Sequence, residues 1–281
     1  MHDFSYQTVA FPGVAGSFTE EALRRFFGRN AKKQPQTLCC EEFEDVFAAV
    51  RDGKAEAGVL PLENSTTGSI SLTYDLLLKY GFTIRGEQTV SIRQCLMALP
   101  GADLGQIRNV YSHSQGFEQS RGFLSQYPKW RLIPHHNTAI SAQYVRDKGD
   151  LWRAAIGAKR AAEIYGLSVL KEGIEDEKNN TTRFIIIAKD SSPVPGADKV
   201  SVLLGLPHNA GSLYEFLGYF AENGVNLVKI ESRPMKGKKW QYLFYLDFEG
   251  DLSAPGVRQA LRLTEQKAGY FRLLGSYRKN T

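Results

Sequence analysis

Five times within the first 165 residues a short apolar strand runs into a polar loop and then into an amphipathic helix. The spacing predicts a strand Gln7–Phe11 with a helix over Phe18–Phe27, then a strand Ala57–Leu62 with a helix over Ile70–Tyr80. Asn109–Tyr111 precedes a helix over Phe117–Gln126, Arg131–Pro134 one over Ala139–Asp147, and Ala154–Ile156 runs into one over Ala158–Tyr165. Strands alternating with helices argue for α/β units built on a largely parallel sheet. Ligands of such sheets bind beyond the carboxyl ends of the strands. Those ends collect small polar residues here: Gly13–Ser17, Glu63–Ser69, Ser112–Gly116 and His135–Thr138. Each following helix begins with unsatisfied N–H groups and a partial positive charge. Several such ends facing one crevice suit a small anion, a carboxylate or a phosphate. Any one loop, taken alone, is simply what caps a helix; Ser17 and Glu20 have the S-x-x-E spacing of a capping box.

A second feature stands out near the middle of the chain. Asn179-Asn180-Thr181-Thr182-Arg183-Phe184 leads into Ile185-Ile186-Ile187-Ala188, a β-branched run that reads as a buried strand. Two hydroxyls and a guanidinium therefore stand at the mouth of that strand. Asn and Thr also favour turns for their own sake, so the motif acquires functional weight from the loops around it.

Several function classes fall away. The net charge of +5 comes from basic residues interspersed with acidic ones; that fits a small anionic ligand rather than nucleic acid, which calls for a basic face. No run of about 18 apolar residues is available to span a membrane, and Met1–Ser5 lacks the charged-then-apolar pattern of a signal peptide. Cys39, Cys40 and Cys95 are odd in number, two of them adjacent, which makes a poor disulfide framework. Reduced thiols and a cytoplasmic location are expected. The histidines form no HExxH, and His135-His136 on a strand would point to opposite faces, so no metal site is expected. Gly13-Val14-Ala15-Gly16-Ser17 has neither the GxxxxGK[ST] spacing nor the third glycine of GxGxxG, so no nucleotide cofactor is expected.

Ser191–Asp198, a polar stretch with two prolines, is the best domain boundary. Beyond it the pattern becomes βαββαβ: Lys199–Leu206, a helix Gly211–Asn223, Val225–Arg233, a turn at Gly237-Lys238-Lys239, Trp240–Phe248, a helix within Leu252–Ala268, and Tyr270–Ser276. That is a ferredoxin-like unit, of a size to carry a ligand site or an interface. The expected organisation is thus 1–190, a linker 191–198, and 199–281.

In order along the chain these residues resemble prephenate dehydratase with a C-terminal ACT regulatory domain. Gly13-x-x-Gly16-Ser17-Phe18 with Glu20 is similar to the family's GxxGTFSE loop, and Gly58–Glu63-Asn64-Ser65 through Gly68-Ser69 to GVxPxENSxxGS. Ser112-His113-Ser114-Gln115 resembles SHPQ with Ser114 in place of Pro, and Asn137-Thr138-Ala139 resembles STA with Asn137 in place of Ser. Asn180-Thr181-Thr182-Arg183-Phe184 matches NxTRF. Gly211-Ser212-Leu213-Tyr214 resembles GALxxxL, and Glu231-Ser232-Arg233-Pro234 matches ESRP. The resemblance covers nearly the whole chain; its two departures bear on geometry more than on chemistry.

The resemblance implies a two-lobed catalytic domain like the periplasmic binding proteins, with the active site in the cleft, followed by the ACT domain. It implies that prephenate loses carbon dioxide and its ring hydroxyl together, giving phenylpyruvate on the route to phenylalanine, with no cofactor. Thr182 is then the proton or hydrogen-bond donor to the departing hydroxyl. Arg183 assists it or holds a carboxylate, and Asn64 and Ser65 act as uncharged donors. Gly16, Ser17, Thr66, His113, Gln115 and Thr138 line the substrate, with Phe184 as packing. His113 tempts as a general acid, but the resemblance does not give it that role. Phenylalanine is expected to bind as an allosteric ligand near Gly211, Ser212, Leu213 and Tyr214 and near Glu231, Ser232, Arg233 and Pro234. ACT domains pair, so a homodimer or homotetramer is expected. Arogenate dehydratase on the same scaffold is the neighbouring alternative, and a non-catalytic amino-acid sensor the distant one. No chorismate mutase segment precedes the domain, so that step is expected from another chain or from a part absent from this one.

Overall fold

A computed structural model describes residues 5–31, 33–235 and 241–280. In chain order its elements begin β1 (Thr8–Pro12), α1 (Phe18–Asn30), β2 (Gln36–Cys40), α2 (Phe43–Arg51), β3 (Ala57–Asn64), β4 (Gly68–Ser69), α3 (Ser71–Tyr80), β5 (Thr83–Ser91) and β6 (Cys95–Ala98). They continue β7 (Asn109–Ser112), α4 (Ser114–Glu118), α5 (Arg121–Leu124), β8 (Arg131–Pro134), α6 (Thr138–Lys148), β9 (Arg153–Gly157), α7 (Lys159–Tyr165), β10 (Ser168–Glu172) and β11 (Thr181–Ala188). The last six are β12 (Lys199–Gly205), α8 (Ser212–Glu222), β13 (Leu227–Pro234), β14 (Tyr242–Glu249), α9 (Pro255–Lys267) and β15 (Tyr270–Tyr277).

The α/β class holds, with three sheets among the described residues. One has the order β2-β1-β3-β11-β5, with β4 on β3; another has β10-β6-β9-β7-β8. The sheets are mixed rather than largely parallel. β1 runs parallel to β2 and β3, and β7 parallel to β8 and β9, whereas β6 is antiparallel to both β9 and β10. A parallel neighbour requires a crossover, usually a helix. β6 is entered from β5 across Ile92–Gln94 without one.

The βα units place the polar loops as expected, with local differences. The loop 63–69 is a tight hairpin, since β3 extends to Asn64 and pairs with β4 through Glu63↔Ser69 and Asn64↔Gly68. The single helix expected over Phe117–Gln126 is two short ones, α4 starting earlier at Ser114. The break has a tertiary cause. Gln119 O accepts from Asp176 N at 2.7 Å and Gly122 N donates to Asp176 Oδ1 at 2.9 Å, so a distant loop takes the bonds that would continue the helix.

By compactness the chain forms two units that are discontinuous in sequence. Among the described residues, one holds those from Ser5 to Ile70 together with Gln88–Phe184; the other holds Ser71–Glu87 and those from Ile185 on. In the second unit no helix or strand lies between Ala188 and Lys199. The elements that follow run βαββαβ, with antiparallel sheet order β13-β14-β12-β15, the ferredoxin-like arrangement. Its core is Val200, Val202, Leu204, Phe216, Phe220, Leu246 and Phe248. The turn expected at Gly237-Lys238-Lys239, and Trp240 with it, lie outside the described residues.

Candidate active site

Asn64 is the centre of the polar cluster at the end of β3. Its carbonyl oxygen accepts from Thr66 N and Thr67 N, each at 3.0 Å. Those two donors fix which way the amide faces, because an oxygen must stand there. The amide nitrogen therefore points at β11 and donates to Asn180 Oδ1 at 2.6 Å and Thr182 Oγ1 at 2.9 Å. Ser65 and Thr181 close the cluster: Ser65 N donates to Thr181 O at 2.8 Å, and Thr181 N to Ser65 Oγ at 2.9 Å. Asn64, Asn180, Thr182 and Arg183 are all buried. Arg183 Nε lies 2.7 Å from Glu63 Oε1.

The consequence for Thr182 is chemical. Its oxygen already accepts a hydrogen bond, and among the described residues its own O–H is given to no acceptor. A hydroxyl that accepts on one side is polarised as a donor on the other. Phe184, two residues further along β11, is buried.

The remaining predicted residues fall around this cluster to different degrees. Gln115 joins it through Nε2 to Thr67 Oγ1 at 3.1 Å. His113 is the N-cap of α4, its Nδ1 accepting from Gln115 N at 3.2 Å. Burial pushes its pKa down, and the His136 charge adds to the effect, so the imidazole is neutral near pH 7 and a poor acid. Thr138 opens α6 under the Asn137 cap, whose Oδ1 accepts from Ile140 N at 2.7 Å. Neighbouring Gly157 packs closely on it, since a Cβ there would lie 3.2 Å from Thr138 Cβ, a tight contact. Gly16 is left-handed, with φ +90°, and a Cβ would meet the Ala161 backbone at 2.9 Å; only glycine fits.

Ser17 caps α1 as its spacing predicts, accepting from Glu20 N at 3.2 Å. The reciprocal half of the box is displaced by one residue. Ser17 N is taken by Val14 O, and Glu20 Oε2 accepts from Gly16 N at 2.7 Å. The helix start thus carries its own carboxylate and is not an open anion site. Glu20 is almost fully buried; burial pushes its carboxyl up, but Gly16 N–H, Arg24 and Arg160 outweigh that and hold it below 4.5. A depressed folded-state pKa contributes stability that is complete above about pH 4.5 and is lost as pH falls through the folded value. Glu20→Gln is accordingly expected to melt below wild type at pH 7, the gap closing as pH falls below about 4.5, as thermal unfolding on both sides of that pH will read.

Sequence reasoning missed Glu63, Thr67 and Asn180 as members of the cluster. Each lies within a quoted motif, but only the pairing of β3 with β11 shows which side chains meet. Among the described residues no group of three His, Cys, Asp or Glu side chains could hold a metal ion. No helix among them is long and apolar enough to cross a membrane.

Residues 9–192 match the model of the prephenate dehydratase family, and that span contains the whole cluster. The chain belongs to the prephenate dehydratase family. The bifunctional chorismate mutase/prephenate dehydratase of Neisseria gonorrhoeae is 35% identical over 271 residues, covering 96% of this chain and 74% of that one. A prephenate dehydratase from Arthrobacter aurescens, solved in complex with L-Phe, superposes with a TM-score of 0.86 at 33% identity, covering 96% of this chain and 89% of that one. GqqA, described as a novel type of quorum-quenching acylase, superposes at 0.87 with 32% identity, covering 97% and 98%.

The second unit of this family member holds the other predicted residues. A cavity of about 350 Å³ is lined by Leu206, His208, Ser212, Leu213, Tyr242 and Phe244, among others. Gly211 is the left-handed N-cap of α8, and Tyr214 is 83% exposed. Glu231–Pro234 lie on β13, where Pro234 pairs with Tyr242. Arg233 is engaged with α3. Its Nη2 lies 3.2 Å from both oxygens of Asp75, and its Nη1 donates to Ser71 Oγ at 2.9 Å.

Proposed function

We propose that the chain converts prephenate to phenylpyruvate, carbon dioxide and water. Electrons of the breaking C–CO₂ bond enter the ring as the ring C–O bond breaks, and the departing hydroxide, held by a hydrogen bond as it leaves, takes one proton from solvent and becomes water. Aromatisation supplies much of the driving force, so positioning and one polarised donor suffice. The observation that carries this reading is the Asn64–Thr182 hydrogen bond, which leaves the Thr182 O–H to face a leaving group. An alcohol is a weak acid, and in this reading Thr182 acts by a hydrogen bond that strengthens as charge develops. Arg183 supplies charge toward a substrate carboxylate, and the hydroxyls of Ser65, Thr66, Ser17 and Thr138, with Gln115, supply uncharged contacts. The backbone N–H groups of Thr66 and Thr67 are not among the donors, since Asn64 takes both.

Residues 199–281 act in this reading as an ACT domain after a linker at 191–198, and the cavity beside Ser212 and Leu213 takes L-phenylalanine. Tyr214, Val228 and Ile230 leave apolar surface exposed on the same unit, which supports pairing with a second copy through this domain. Phenylalanine binding would then be coupled to turnover as a free energy between two sites. The three cysteines are free, which fits a reducing cytoplasm, and burial pushes Cys40 and Cys95 up to about 11, which keeps both thiols protonated.

The test offers prephenate and arogenate separately to the purified chain, with phenylpyruvate and phenylalanine assayed as products and L-phenylalanine binding followed by calorimetry. Phenylpyruvate from prephenate is the expected result. Turnover of arogenate alone would move the assignment to that substrate. Inertness toward both, with phenylalanine still bound, would make the chain a sensor.

A further inference from the structure

We propose that Asn180 is a positioning residue for the reaction, acting on Thr182 through Asn64; this rests on the dehydratase reading above. The terminal torsion of an asparagine side chain is broad, so an amide keeps one orientation only when both its ends are held. The oxygen of Asn64 is held by two N–H groups of the hairpin that follows it. Its nitrogen has two hydrogens. Asn180 Oδ1, at 2.6 Å, takes one, which directs the other toward Thr182 Oγ1 at 2.9 Å and Thr181 O at 3.2 Å.

Asn180 can serve as that fixed acceptor because its own backbone is tied at both ends. Its carbonyl accepts from Ile92 N at 2.8 Å and its N–H donates to Glu177 O at 3.1 Å. The side chain is 2% exposed, so water does not compete for its oxygen. A buried network in which each member orients the next is held more tightly than its bonds would be singly. Without the Asn180 oxygen, the Asn64 amide can turn both hydrogens toward Thr181 and Thr182, and the Thr182 hydroxyl loses its single direction.

The test is a double-mutant cycle on the full chain with prephenate: Asn180→Ala, Asn64→Ala and the double variant, with kcat, KM and melting temperature for each. Asn180→Ala is expected to lower kcat about tenfold with KM changed less than about threefold. The double variant is expected to be no slower than Asn64→Ala, because Asn180 has no route to Thr182 once Asn64 is gone. Asn180→Asp, which keeps an oxygen for Asn64 to donate to, is expected to restore most of kcat while its charge raises KM for a dianionic substrate. Losses that multiply in the double variant, or a lowered melting temperature with kcat intact, would overturn the proposal. So would failure of the Asp variant to recover kcat in a folded protein. A wild-type chain inert toward prephenate would overturn the dehydratase reading itself, and the cycle separates the two failures.

Discussion

Thr182→Val is expected to lower kcat about a hundredfold or more, while KM for prephenate stays within a few-fold of wild type. Valine keeps the shape of threonine and removes the hydroxyl. The Thr182 side chain is buried and packs at the start of β11, so shape has to be preserved for the experiment to read chemistry. Loss of one donor that acts on developing charge costs about 3 kcal/mol, which is roughly a hundredfold in rate. A ground-state contact would appear in KM instead. The substitution also removes an acceptor from Asn64, whose nitrogen still reaches Asn180 and Thr181 O. The stability cost is therefore small, about 1 kcal/mol. Thr182→Ser, which keeps the hydroxyl, is expected to retain most of the rate. Single-turnover phenylpyruvate formation, with circular dichroism on each variant, decides the matter. A Thr182→Val protein within threefold of wild type would remove Thr182 from the chemistry.

Gly275→Val is expected to be the most damaging substitution in the second unit, with no polar group lost. A Cβ at Gly275 would lie 2.2 Å from Ile84 O and 3.0 Å from Ile84 C. The obstacle is backbone of β5, which cannot swing aside as a flexible side chain would. Gly275 sits opposite Ser201 at the point where the β12–β15 register shifts. Ser201 Oγ donates to Asp247 Oδ1 at 2.6 Å, so a shift of β15 would disturb a buried polar bond as well. Overpacking of this kind costs about 3 kcal/mol. At about 2–4 °C per kcal/mol, the melting temperature should fall by about 6–12 °C. A melting temperature within 2 °C of wild type would mean that β5 and β15 can separate without penalty.

Much of the architecture was legible because it rests on local rules. Ser17 and Asn137 each precede a helix and cap it, and the βαββαβ order of β12–β15 follows from strands and helices of ordinary polarity. β5 was not legible. It carries Arg85 and Glu87, both 4% exposed, in the middle of a strand, and charged residues break the apolar pattern that marks one. Their burial becomes acceptable only through partners far along the chain: Lys199 Nζ lies 2.8 Å from Glu87, and Asp190 lies 3.2 Å from Arg85. The same reason hid the grouping of Ser71–Glu87 with the C-terminal third, since the ion pairs that join them span more than a hundred residues.

The site divides along the same line. The residue types of Asn64-Ser65 and Thr182-Arg183, and the loops that carry them, follow from composition and spacing, because hydroxyls and amides cluster where strands end and helices begin. That Asn64 faces Asn180 and Thr182 across a gap of 116 and 118 positions is decided by the sheet alone. So is the engagement of Arg233 with Asp75 on α3, where the motif by itself suggested only a ligand contact. Capping, periodicity and turn chemistry act over a few residues and can be read from the order of side chains. The direction of a hydroxyl and the partner of a buried charge depend on which strands pair, and that is settled only when the whole chain packs.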